Sequence, residues 1–261
     1  MNALSPFEEL VAIWSLVDLF FPPTCLLCRQ PLLARETDDY LCSSCGGKVP
    51  FFVARSCSLC AGPPGKCMCL SRDGLSFSFS GTAALGWYGG DLKGCLHRFK
   101  YGGSSHLAKP LGQLLARAVM EQKNWPPFDA IVPIPLHLLR LRERGYNQSF
   151  LLACQMAPIL KIPVADLLER QVHTPSQTKL SRHERQHNVK GAFCLKSPPP
   201  PLPFPFSIFL SRPTPPISPP FTGKTFLLVD DIFTTGSTLE EAAFLLLSQG
   251  AASVYNAVAA R

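Results

Sequence analysis

Short runs of consecutive apolar residues alternate along most of the chain with stretches whose apolar positions return every three to four residues. From Phe77 to Tyr88 the pattern suggests strands. Leu92 to Lys100 places apolar and basic residues at helical spacing, and His106 to Lys123 reads as an amphipathic helix with Pro110 tolerated in its first turns. Asp129 to Pro135 is a short buried strand ending in prolines, and a helix follows from about Asn147 to Leu160. A weak strand sits around Leu167 to Val172. Phe226 to Val229 is a fully apolar strand, followed by a helix that starts near Ser237 and stops at Gly250, a good C-cap. Strands alternating with helices predict an α/β fold, a mostly parallel sheet with flanking helices and a ligand at the carboxyl ends of the strands. Two stretches break the pattern. Arg170 to Lys190 is polar and basic and reads as a mobile loop. Residues 197–222 hold eleven prolines and a single charge, Arg212. Such a run cannot form a central strand or a long helix, and it reads as an extended insertion, tolerated as loops accept added length cheaply.

At 261 residues the chain fits one domain with an appendage or two small domains, and a 46% hydrophobic content supports a core. The net charge of +7 suits an anionic ligand or nucleic acid without selecting between them. Near the N-terminus, the apolar run from Leu10 to Phe21 is interrupted by Asp18 and is too short to span a bilayer. It reads as an amphipathic helix packing on the body. Glu8 and Glu9 stand where a secretory signal would carry positive charge, so the expectation is a cytoplasmic chain without a membrane span.

In that compartment the eleven cysteines suggest metal rather than disulfides. Cys25-x-x-Cys28 and Cys42-x-x-Cys45 make a tetrahedral four-cysteine set suited to zinc. Cys57-x-x-Cys60 and Cys67-x-Cys69 make a second set, irregular in its last pair, for which reduced thiols without metal are the alternative. One or two zinc ions are therefore expected. Closed sites of this kind serve folding or docking and leave no position open for catalysis. The expected organisation is an N-terminal helix and double zinc ribbon over 1–72 and a larger domain over 73–261.

The densest chemistry lies at residues 226–240. The apolar strand runs into Asp230 and Asp231, then into a small polar loop, Thr234, Thr235, Gly236, Ser237 and Thr238, and then into the helix. Backbone N–H groups at a helix N-terminus attract an anion, and the hydroxyls add donors. Carboxylates beside such a cradle repel phosphate but accept hydrogen bonds from sugar hydroxyls. The ligand read from these residues is a sugar phosphate. A Walker-type loop is excluded, since no Gly-Lys-Ser/Thr follows a glycine-rich run. Three arginines, Arg140, Arg142 and Arg144, occupy a basic loop between strand and helix, a second anion-binding layout. Lys100 is a further candidate for pointing at the ligand.

The stretch around Asp230 resembles the phosphoribosyl-pyrophosphate (PRPP) motif of type I phosphoribosyltransferases. More widely, the order of motifs is similar to the ComF/GntX family. Those motifs are the cysteine pairs; Phe99-Lys100-Tyr101-Gly102; Val132-Pro133-Ile134-Pro135-Leu136; Arg144-Gly145-Tyr146-Asn147-Gln148; Arg170 with Thr174 and Gln177; Glu184-Arg185; Asn188-Val189; Ala192-Phe193; and the paired acids. The resemblance implies a double zinc ribbon joined to a type I phosphoribosyltransferase-like domain. It implies that Asp230 and Asp231 hold the ribose hydroxyls and that Thr234 to Thr238 wrap the 5-phosphate. Arg144 and its loop would hold pyrophosphate with Mg2+, and a loop from about Thr174 to Lys190 would close over the site. It further implies a bacterial role in handling incoming single-stranded DNA during natural transformation. The first reading is a phosphoribosyltransferase acting on an acceptor the residues do not name; the alternative is a non-catalytic PRPP-binding or scaffold protein that contacts DNA or a competence helicase partner. In the family a short link replaces residues 197–222.

Overall fold

The computed structural model describes residues 24–32, 41–46, 56–63, 67, 69, 77–171, 191–196 and 219–261. The predicted helix at Leu10 to Phe21, most of the basic loop after Arg170 (172–190) and most of the proline-rich insertion (197–218) lie outside the described residues. The chain divides into two compact units, Met1–Pro50 and Phe51–Arg261. The first contains the first four-cysteine set, with a single helical turn at Ser43–Gly46. The second contains everything that follows, including the second four-cysteine set.

The larger unit is built on a four-stranded, all-parallel sheet. Its elements in chain order are β1 (Gly81–Ala84), α1 (Gly90–Tyr101), α2 (Ala108–Met120), β2 (Ala130–Pro133), α3 (Leu138–Arg144), α4 (Gln148–Leu160), β3 (Leu168–Arg170), β4 (Phe193–Leu195), β5 (Thr225–Ile232), α5 (Ser237–Ser248) and β6 (Ser253–Ala260). The spatial order in the sheet is β1-β6-β5-β2. β3 and β4 form a separate antiparallel pair. Parallel sheets are covered on both faces, so their strands are apolar throughout rather than alternating. β5 obeys this: Phe226, Leu227, Leu228 and Val229 are all fully buried. Phe226 and Leu228 pack with Leu239, Ala242, Ala243 and Leu246 of α5. Leu227 and Val229 point the other way by strand alternation, toward the face covered by α4, which packs on β5 and β2. α2 packs on α4, β1 and β6.

Pro133 sits inside β2 without breaking it, because the hydrogen-bonding sides of a strand alternate. The Ile131 N–H donates outward to the Pro163 carbonyl at 2.8 Å, and the Ile134 N–H donates inward to Val229 at 3.0 Å. Position 133 shares its outward side with Ile131, so the missing proline donor falls toward the sheet edge, where it is tolerated.

The segment expected as a basic loop is helical over Leu138–Arg144. Its residues are good helix formers. The His137 Nδ1 accepts from the Leu139 N–H at 3.3 Å, and Gly145 closes the end at φ +78°. Arg142 and Arg144 lie in the last turn, favourable for the helix dipole. The central strand β6 carries no strong strand signature and emerges only in the structure. Among the described residues, no helix is long and apolar enough to cross a membrane.

Gly112 fixes the approach of α2 to α4: a Cβ there would lie 2.5 Å from Gln155 Cβ and 3.0 Å from the Leu152 carbonyl oxygen. Both obstacles are attached to backbone, so neither can swing aside. Gly112→Val should therefore lower the stability of the larger unit by about 2 kcal/mol or more, overpacking outweighing any gain in helix propensity. The shift of the urea midpoint at unchanged slope measures it.

Candidate functional site

β5 outruns β2. Val229 is the last residue paired across to β2, at Pro133, whereas pairing to β6 continues to Asp230 and Ile232. Asp230 and Asp231 therefore stand at the carboxyl edge of the sheet beside a gap where β2 has already turned away. Into that gap come side chains from two helices. Ser149, in the first turn of α4, donates its hydroxyl to Asp230 Oδ1 at 3.0 Å. Lys100, near the end of α1, places its ammonium 2.9 Å from Asp231 Oδ2. The two side chains of this pair are only 18% and 11% exposed, so water screens them less than an ordinary surface pair. Burial pushes the Asp230 carboxyl up to about 7. The neighbouring Asp231 charge adds to the rise, while the Asp231 N–H, Lys100 and Ser149 oppose it.

The loop after β5 turns under a steric constraint. Gly236 has φ +83°, and a Cβ there would meet Phe233 Cζ at 2.7 Å and Phe77 Cε1 at 2.9 Å. Only glycine fits both the left-handed backbone and the space. The turn delivers the N-terminus of α5 behind the acid pair. Thr235 and Ser237 share a hydroxyl–hydroxyl contact of 2.8 Å. Thr235 is buried, Thr234 is exposed, and Ser237 and Thr238 are half-buried in the first turn. Hydroxyls and the first N–H groups of α5 converge here on the same edge of the sheet as the carboxylates.

The opposite wall is α3, α4 and the end of α1, laced together by hydrogen bonds. Tyr146 donates to the Phe99 carbonyl at 2.5 Å, and Asn147 caps α4 by accepting from Ser149 N–H while donating to the Ile134 carbonyl, both at 3.0 Å. Arg144 donates to Gln148 Oε1 at 3.1 Å and to the Tyr101 hydroxyl at 3.3 Å, and its guanidinium lies 5.0 Å from the Tyr101 ring centroid. Burial pulls the Arg170 guanidinium below its ordinary value and the Arg140 charge adds to this, while the Asp230 charge pulls the other way. Arg170 thus brings positive charge toward Asp230, with Arg140 near Arg170.

The structure brings Asp230, Asp231 and the Thr234–Thr238 loop to one edge, with Lys100 on Asp231. It holds Arg144 on Gln148 and Tyr101. Sequence reasoning missed Ser149; its place in the first turn after the Asn147 cap was the available signal.

The cysteines form two clusters, Cys25/Cys28/Cys42/Cys45 and Cys57/Cys60/Cys67/Cys69, with all sulfurs of a cluster within 4.8 Å of one another. The first pair of each shares one backbone form. The Cys25 N–H donates to Gln30 at 2.8 Å and Arg29 N–H returns to Cys25 at 3.0 Å; the Cys57 N–H donates to Gly62 at 2.9 Å and Ala61 N–H returns to Cys57 at 2.8 Å. Arg29 and Ala61, the residues just past each pair, both take positive φ, at 65° and 50°. Two non-glycine residues held in this sparsely populated region mark two sharp turns of one design. Four soft thiolates converging from such turns fit tetrahedral zinc. For Cys60, burial pushes the thiol up, but hydrogen bonds from Cys69, the Gly62 N–H, Cys67 and Arg261 outweigh it and bring it down to about 6.

Residues 147–261 match the phosphoribosyl transferase domain family, and residues 16–73 match the double zinc ribbon domain. The chain is 30% identical over 213 residues to competence protein F of Haemophilus influenzae, covering 80% of this chain and 79% of that one. It is 32% identical over 246 residues to the DNA utilization protein YhgH of Salmonella typhi, covering 90% and 96%. It is 27% identical over 246 residues to competence protein ComFC of Bacillus subtilis, covering 88% and 90%. With a cysteine-cluster ribbon, a parallel α/β sheet and these relatives along most of its length, the chain belongs to the ComF family of double zinc ribbon, phosphoribosyltransferase-like proteins.

Proposed function

We propose that this protein binds PRPP with Mg2+ at the carboxyl edge of its sheet and transfers the phosphoribosyl group, in a process tied to DNA uptake or utilization. One observation carries the reading: the acid pair that ends β5 lies beside a helix N-terminus lined with hydroxyls and reached through a left-handed glycine. Carboxylates suit ribose hydroxyls as acceptors, and the loop suits a phosphate as donor. In this reading Asp230 and Asp231 hold the ribose, and Thr234, Thr235, Gly236, Ser237 and Thr238 hold the 5-phosphate. Arg144, aided by Arg140 and Arg170, holds the pyrophosphate. Magnesium bound with PRPP would supply charge neutralisation at the pyrophosphate, next to the positive charge of Arg144. Transfer breaks the bond between ribose C1 and the pyrophosphate oxygen. Pyrophosphate leaves with the electron pair, and an acceptor nucleophile bonds to C1. The protein's share is orientation and charge stabilisation. The DNA context rests on the competence and DNA-utilization names of the relatives.

Calorimetric titration of PRPP with Mg2+ into the full chain tests the site. Asp230→Ala and Asp231→Ala should each weaken binding by about ten- to a hundredfold, the loss of a charged hydrogen-bonding partner costing about 1.5–3 kcal/mol. Gly236→Val should weaken it by filling the loop. Wild-type affinity in all three variants, or no binding to wild type, sinks the proposal; the second outcome favours a scaffold that contacts DNA or protein through this fold.

Asp230 should also trade stability for function. Its carboxyl is raised from 3.8 to about 7, so between those values the unfolded chain has released a proton that the folded chain still holds. Stability contributed by the neutral carboxyl is present below about pH 4 and is lost as pH rises through about 7. Asp230→Asn should therefore melt higher than wild type at pH 8, with the gap closing toward pH 4, while binding PRPP less well. A melting difference that stays constant across that range contradicts the assignment.

Both cysteine clusters fit zinc. Elemental analysis of the purified chain should find two zinc ions, and Cys28→Ser should remove one, because structural zinc sites of this kind need all four thiolates. Two ions retained in Cys28→Ser would contradict the first site.

A further inference from the structure

The second cysteine cluster forms the underside of the candidate phosphate loop. Three contacts make the connection, all within the larger unit. First, Phe77 and Phe79, which follow Cys69 closely in the chain, stack at 4.6 Å between ring centroids and set their edges against Phe233 at 6.0 and 6.1 Å. Phe77 is also one of the two rings that exclude a side chain at Gly236. Second, Ser78 is bound to the first turn of α5 through both oxygens of Glu240, its N–H at 2.8 Å and its hydroxyl at 2.6 Å. Third, the Arg261 guanidinium joins cluster to loop directly. Its Nε donates to the Cys60 carbonyl at 2.6 Å, and its Nη1 donates to the Thr234 carbonyl at 3.1 Å. Its plane lies 4.5 Å from the Phe233 ring centroid.

Arg261 is itself immobilised. Its N–H donates to the Gly86 carbonyl at 2.9 Å, and its carbonyl accepts from the Tyr88 N–H at 2.8 Å. The cluster is likewise seated on the sheet: the Thr82 N–H donates to Ser58 at 2.9 Å, and the Thr82 hydroxyl donates to Leu59 at 2.7 Å. A planar, always-charged fork with donors at fixed angles ties two carbonyls together more rigidly than a lysine can. One carbonyl belongs to Cys60 of the second four-cysteine cluster, and the other belongs to the loop proposed to hold the 5-phosphate.

We infer that Arg261 is a positioning residue through which the second four-cysteine site, when it holds zinc, braces the Phe233–Ser237 loop, so that zinc occupancy and PRPP affinity are coupled. Zinc fixes the turn at Cys57–Cys60 and so the Cys60 carbonyl. That carbonyl holds one side of the guanidinium, whose other side holds Thr234 and the face of Phe233. Coupling between two sites is reciprocal: a ligand bound in the loop must hold zinc in the cluster more firmly by the same factor that zinc strengthens the ligand. The inference rests on the proposed PRPP site for its ligand arm and on the contacts alone for its structural arm.

The test uses the full chain carrying Cys28→Ser, so that only the second site holds zinc, with zinc release followed by a chromogenic chelator. PRPP with Mg2+ should slow release by about tenfold. Arg261→Gln, which can serve one carbonyl but not both, should abolish the slowing and raise amide hydrogen exchange over residues 233–239. Arg261→Lys, which retains the charge, should restore part of both and covers the case in which the glutamine variant folds poorly. Zinc release indifferent to PRPP in a chain that binds PRPP overturns the inference, and so does wild-type exchange over residues 233–239 in Arg261→Gln. If calorimetry shows no PRPP binding to wild type, the proposed function fails separately. Exchange over the same residues with the second site loaded or stripped of zinc then decides: faster exchange after stripping upholds the brace, and unchanged exchange refutes it.

Discussion

The unequal length of β2 and β5 is the constraint on which the site depends. Both strands are parallel and buried, and they stay in register only as far as Pro133 and Val229. Beyond that point β5 is held by β6 alone. The overhang gives two carboxylates a rigid backbone on one side and an open approach on the other, the crevice that open α/β sheets use for ligands. Everything else at the site is arranged around that ledge: α4 begins beside it because Asn147 caps the helix there, and α5 begins beyond it because Gly236 turns the chain.

Charge is balanced at the ledge without being neutralised pair by pair. Lys100 answers Asp231, and Arg170 faces Asp230 at longer range. Two carboxylates so close together and partly desolvated raise each other's energy, visible in the elevated Asp230 carboxyl. Such a group is poor for the fold and useful for a ligand that brings hydroxyl donors, the pattern expected where stability has been given up for binding.

Much of this was legible in the amino-acid order because local signals coincide with global roles. The apolar run at Phe226–Val229, the acids, the hydroxyls and Gly236 appear consecutively, and the strand, turn and helix they predict are present in that order. The cysteine spacing similarly announces two clusters. What escaped depends on partners distant in sequence. β6 reads Ser-Val-Tyr-Asn-Ala-Val-Ala-Ala, with alanines and a buried Asn256 where β-branched residues would signal a strand, and its place comes from being paired on both sides. α3 looked like a loop because arginines dominate it and nothing in it is buried. Ser149 offers only its place after the Asn147 cap, and Arg261 carries no signature; only the fold shows that one meets Asp230 and the other spans from Cys60 to Thr234. The packing of the second cysteine cluster into the core beneath α5 was equally invisible, since nothing in the spacing says which body a ribbon will join.

The placement of β6 between β1 and β5 has a consequence for biosynthesis. β1 has no neighbour in the sheet until β6 exists, since its register runs from Gly81 opposite Tyr255 to Ala84 opposite Val258. At roughly 5–20 residues per second, a ribosome needs on the order of ten seconds or more to travel between them. For most of that interval β1 stays bare, because β5 is completed at Ile232, shortly before β6 begins at Ser253. The unpaired strand in the nascent chain is therefore β1, which waits for β6. When β6 enters between β1 and β5 it closes the sheet and, through Arg261, sets the underside of the loop in the same event.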